Sequence, residues 1–236
     1  MALKSRLALL AGFALFLGTI GFSTMVFAQS PETEPGAKIV PVPTITFELN
    51  WREADPNWYS VTVEADGPAA YRSQPKVGPN EIPGDPYMVK FTATEATRKR
   101  MFALAAAVKF FQGNFEYRGG NIAKTGTKTL RYQYGKETNE TSFNFSTNTD
   151  LMDLVTMFQQ ISTTIEFGRR IDFKLRFDKL GLDSELKALE NAYSRGALLE
   201  VQAIAPILQK VLNDRGTMNI SRARIQHILG QNGGKK

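Results

Sequence analysis

The chain has 236 residues, no cysteine, one histidine and a formal charge of +6. Without cysteine it excludes disulfide scaffolds and the usual zinc sets, so stability must come from a packed core. The positive excess is mild against 23 acidic residues and is spread along the chain, which gives no footprint for nucleic acid.

The chain opens MALKSRLALLAGFALFLGTIGFSTMVFAQS. Lys4 and Arg6 precede an apolar run from Leu7 to about Ile20, and Val26-Phe27-Ala28 supplies a signal-peptidase site. Residues 1–28 therefore read as a cleaved secretory signal, and the expected location is periplasmic or secreted. Membrane contact is expected only if the signal stays uncleaved, since Leu7–Ala28 is long enough to span a bilayer. Residues 29–43 hold four prolines and no apolar period, and read as a disordered linker.

Ile45, Phe47 and Leu49 alternate in a first strand. YSVTVEADGPAAYRS gives two more, joined at Asp66-Gly67. Pro75–Pro86, with four prolines and two glycines, reads as a surface loop. YMVKFTA makes a fourth strand. Thr92 and Glu95 then form a capping box for a helix with Met101, Leu104, Ala105, Val108 and Phe111 on its apolar face, ending at Gly113-Asn114. TLRYQY and TSFNFS read as a hairpin joined through GKETNE. Asn148 or Thr149 caps a second helix bearing Leu151, Leu154, Val155, Phe158, Ile161 and Ile165. Short turns between strands and two amphipathic helices predict an α+β domain over residues 44–165, an antiparallel sheet with two helices packed on one face.

Residues 166–229 read as a helical C-terminal region, a hairpin or small bundle. RRIDFKLRF fits both strand and helix periods and is assigned to helix. Asp183 is the expected cap of the next helix, Pro206 kinks or begins another, and Ser221–Leu229 forms the last. Residues 230–236 read as a disordered tail.

FDKLGLDSELKALE, EVQAIAPILQKVLND and MNISRARIQHIL, together with YSVTVEADGPAAYRS, FTATEATRKRMF and FFQGNFEY, resemble an uncharacterised family of exported bacterial proteins. The resemblance covers most of residues 45–229. It implies a sheet-plus-helix first half and a helical second half, and it brings no functional residue with it.

No ordered catalytic set is legible. His227 stands alone near a helix end. SELK (Ser184, Lys187) and KTG (Lys124–Gly126) occur in the wrong order for a penicillin-binding enzyme, and the intervening element is missing. Asp178 with Asp183, and Glu185 with Glu190, read as solvated faces. No catalytic residue, metal ligand or cofactor is assigned. Arg169, Arg170, Lys174 and Arg176 are the candidate binding residues, for an acidic partner or anionic headgroups. The resulting expectation is a non-catalytic binding or interaction module of the cell envelope, meeting an unknown envelope protein or peptide through the sheet face or the loop Pro75–Pro86. The alternatives are an envelope hydrolase using carboxylates or Ser/Lys, and a carrier of an apolar ligand.

Overall fold

A computed structural model describes residues 40–74 and 86–232. The expected signal, most of the linker and the proline-rich loop lie outside those residues, as do the last four residues of the expected tail.

Six strands form one antiparallel sheet: β1 (Thr44–Asn50), β2 (Trp58–Glu64), β3 (Pro68–Gln74), β4 (Tyr87–Thr92), β5 (Thr127–Tyr134) and β6 (Glu137–Phe143). Their order is β4-β3-β2-β1-β5-β6, so β1 lies inside the sheet although it is the first of the described strands. Register follows the alternation: Phe47 faces Val61 on one side and Leu130 on the other. The apolar set of each strand therefore reaches one face together.

Two helices cover that face, α1 (Glu95–Ala107) and α2 (Thr149–Phe177). Ile45, Phe47, Val61, Val63 and Tyr71 of the sheet, Met101 of α1, and Leu151, Leu154, Phe158 and Ile161 of α2 are all fully buried in one cluster. Phe47 stacks on Phe158 at 5.2 Å between ring centroids. At about 25 cal/mol per Å² of apolar area, such contacts hold helices that would be marginal alone. The class is thus α+β, an antiparallel sheet with both helices on one face and further helices after it.

Local details depart from the expected ones. Thr92 does not cap α1, because it is still paired with Pro68 in the sheet. Thr94 is the cap, its hydroxyl accepting from Thr97 N at 3.4 Å. The helix stops at Ala107, well before Gly113. Lys109, Phe110 and Phe111 instead make a left-handed turn, with φ of 52°, 50° and 68°. Left-handed backbone costs about 1–2 kcal/mol per non-glycine residue. Burial of Phe111 and the stacking of Phe110 on Tyr132, 4.4 Å between centroids, offset that cost.

RRIDFKLRF is helical, as assigned, and belongs to α2. α2 runs 29 residues without a break, so the division expected between residues 165 and 166 falls inside a continuous helix. Its first part lines the sheet core, while Phe167 and Ile171 belong to a second core. That core is completed by α3 (Lys179–Ser194), a short 3-10 turn (Val201–Ile204), α4 (Ala205–Asn213) and α5 (Asn219–Asn232). Gly168 allows the close approach of α2 to this bundle: a Cβ there would lie 2.6 Å from Ile204. The cap of α3 is Asp178, not Asp183, its carboxylate accepting from Gly181 N at 2.9 Å. Asp183 instead accepts from Ser221 Oγ of α5 at 3.0 Å. Pro206 begins α4 rather than kinking it.

Candidate binding clefts at one end of the sheet

The sheet face opposite the helices has no buried residue among those described. Thr46, Thr62, Thr129, Ser142, Arg131 and Glu140 stand on it in cross-strand pairs. Thr129 and Ser142 hydroxyls lie 2.8 Å apart, and Arg131 Nε donates to Glu140 at 2.7 Å. Such pairs keep a bare face soluble and fix register.

At one end this face deepens into two clefts of about 670 Å³ each, and Asn50 lines both. One is walled by Trp58, Asn57, Arg72, Gln74 and Met88. The other is walled by Trp51, Tyr117, Asn121, Arg52 and Glu53, with Glu116 and Lys124. The chain holds two tryptophans, and each sits in one of these clefts. The reason is local. Asn50 pairs with Trp58 across the β1–β2 ladder, and Trp51 follows where the ladder ends. Trp51 N donates to Asn57 O at 2.8 Å, which closes the connection. Gly126, at φ +86°, passes so close to Trp51 that any Cβ would strike the Trp51 Cβ and lie 2.8 Å from Asn50 O. Glycine alone meets both conditions.

The wall carrying Tyr117 and Lys124 is pinned to the chain after β6. Asn144 N donates to Glu116 at 2.6 Å, and Asn144 in turn accepts from Thr125 N at 2.8 Å and donates to Ala123 O at 3.0 Å. Tyr117 N donates to Phe145 O at 2.9 Å. Beneath lies Lys128, buried to 5 % exposure, donating to Asn144 O at 2.7 Å and Thr125 Oγ1 at 3.1 Å. Burial pushes the Lys128 amine below its ordinary value, and the Glu116 charge opposes that shift. By contrast, the side-chain amides of Asn50, Asn57 and Asn121 make no hydrogen bond to another described residue.

A second buried polar group ties sheet to helix. Glu166 of α2 accepts from Tyr71 Oη at 2.7 Å, Ser73 Oγ at 2.8 Å and Arg169 Nε at 2.5 Å. Burial, with the Glu166 charge, drives the Tyr71 hydroxyl above its ordinary value. All of its neighbours are committed to one another, so this is a structural tie. Glu200 does likewise at the other end, accepting from Thr94 N at 2.9 Å and Thr94 Oγ1 at 2.8 Å over the start of α1.

The four basic candidates all lie on α2 and all have carboxylate partners: Arg169 with Glu166, Arg170 with Glu185, Lys174 with Asp178 and Arg176 with Asp172. Arg169 and Arg176 share an open groove of about 440 Å³ with Tyr87, Phe173, Phe177 and Lys210; Arg170 and Lys174 do not line it. Ser184 Oγ donates to Gly181 O at 2.7 Å, an ordinary helix-start contact. His227 faces Glu190 at 3.2 Å. Among the described residues no group of His, Asp and Glu is placed to hold a metal ion, and no helix is long and apolar enough to cross a membrane.

The tryptophan clefts went unread in the sequence, although a signal was present: the dipeptide Asn-Trp occurs twice in NWREADPNW, at 50–51 and 57–58. No family model matches the chain, and no curated protein matches it significantly.

Proposed function

We propose that the protein is a non-catalytic binding module of the cell envelope, exported by its N-terminal signal, which meets an envelope component through the bare sheet face. One observation carries this reading: the helices fill one side of the sheet, while the other side is polar, uncovered among the described residues and cleft at one end. The carrier alternative would use the apolar side of the sheet as its wall, and Phe47, Val61, Tyr71 and Phe158 fill that side at zero exposure. For the hydrolase alternative, Glu116 is occupied in holding Asn144. Ser184 is exposed and its hydroxyl is given to Gly181 O, and Lys187, three residues on, stands on the same exposed helix face, so the pair lies open to solvent.

The test is capture from a bacterial envelope fraction by immobilised protein lacking residues 1–28. The comparison is a variant carrying Thr62→Lys and Arg72→Glu on the bare face. Capture of a discrete component by the parent, lost in a variant of unchanged melting temperature, is the expected outcome. Equal capture by both, or turnover of a hydrolase substrate panel, overturns the reading.

A further inference from the structure

We infer that the two adjoining clefts form one site for a neutral linear oligosaccharide, with Trp58, Trp51 and Tyr117 as stacking platforms and Asn50 at its centre. This rests on the binding-module reading and names the chemistry of the ligand. A pyranose ring has apolar C–H faces and a rim of hydroxyls. It is held where flat aromatic rings border planar side chains that both donate and accept. Trp58 is the cross-strand partner of Asn50, Trp51 is next in chain and lines the second cleft while packing partly on the sheet core, and Tyr117 borders that same cleft. Free amides stand beside them: Asn50, Asn57 and Asn121 each bring donors and an acceptor, and none is committed to another described residue.

Charge points the same way. Arg52, Arg118 and Lys124 in the second cleft are set against Glu53 and Glu116, and among the described residues Arg72 is the one charge lining the first. A polyanion needs a continuous basic track along its backbone, which this balance does not offer. Each cleft has the volume of a small-molecule site. Two that meet at Asn50 accept a chain of rings better than a single one. The wall is already fixed by the Glu116, Asn144 and Lys128 contacts, so ordering on binding costs little.

The experiment titrates the full-length mature chain with chitopentaose, cellopentaose and maltopentaose, read by tryptophan emission and calorimetry. Because both tryptophans of the chain are in the site, emission reports on it alone. One pentaose is expected to bind and change the emission, with its monosaccharide binding at least about tenfold more weakly. Trp51→Ala, Trp58→Ala and Asn50→Ala should each weaken binding by about tenfold, while Phe177→Ala, in the other groove, leaves it unchanged. Failure of all three pentaoses at millimolar concentration overturns the inference. So does oligothymidylate binding at the same tryptophans with a steep loss in salt. If envelope capture persists but is abolished by protease and untouched by glycosidase, the binding-module reading survives and the saccharide inference falls.

Discussion

Glu166 offers the sharpest test of how the sheet is joined to α2. Its carboxylate is 5 % exposed and accepts from two hydroxyls and one guanidinium. Glu166→Ala leaves Tyr71 Oη and Ser73 Oγ without that acceptor in the interior, at about 1–3 kcal/mol each. The Arg169 side chain, 30 % exposed, can turn toward water and adds less. Together with the lost packing, the expected destabilisation is about 3–5 kcal/mol. Glu166→Gln keeps the volume and one acceptor oxygen and should cost about 1–2 kcal/mol. Urea unfolding gives these values directly, and for a chain of this size each kcal/mol lowers the melting temperature by about 2–4 °C. A double-mutant cycle with Tyr71→Phe should return a coupling of about 1–2 kcal/mol. An alanine variant within about 1 kcal/mol of the parent, or strict additivity with Tyr71→Phe, would refute the reasoning.

Gly168→Ala improves helix propensity by about 1 kcal/mol yet drives a methyl to 2.6 Å from Ile204, so a net loss of about 1–3 kcal/mol is expected. Ile204→Ala in the same chain should recover part of it, and a plain gain from Gly168→Ala alone would count against the close approach. Lys109→Gly relieves a left-handed residue at φ 52° on the exposed surface and should raise stability by about 0.5–1 kcal/mol after the entropy of glycine is allowed for. A lower unfolding midpoint would show that the turn is unstrained. Asp178, through the Gly181 N–H and then Lys174, and Asp214, through Lys179 and then Gly216, are both held below their ordinary value of 3.8. A folded value below the unfolded one contributes stability that is present above pH 3.8 and lost as pH falls through the folded value. Asp178→Asn with Asp214→Asn should therefore lose stability at neutral pH, converge with the parent at the acid end and so flatten the acid limb of the profile; an acid limb as steep as the parent's would contradict the assignment.

The sheet was legible because its strands alternate cleanly: Ile45, Phe47 and Leu49 sit where period two puts them, and the aromatic partners Tyr59 and Tyr71 do the same. α2 was legible in its buried stripe but not in its length, since RRIDFKLRF satisfies both periods and only Ile171 of its apolar residues is fully buried. Phe173 and Phe177 stay exposed. The turn at Lys109–Phe111 was invisible because nothing in three bulky residues announces left-handed backbone; tertiary burial imposes it. The Glu166 tie joins residues 95 apart in the chain and leaves no local pattern. The clefts went unseen for the opposite reason. Their residues are close in sequence, in NWREADPNW, but a tryptophan beside a strand end looks the same whether it packs inward or borders solvent.

A helix that serves two interiors leaves no seam between them. Phe158 and Ile161 belong to one side of the molecule, while Phe167 and Ile171, less than three turns further on, belong to the other. Severing the backbone at residue 165 would break the rod between the two interiors and part Glu166 from Tyr71 and Ser73, so neither fragment should hold its shape unaided. Amides at the two ends of that shared rod should surrender their deuterium protection at the same denaturant concentration, as one event.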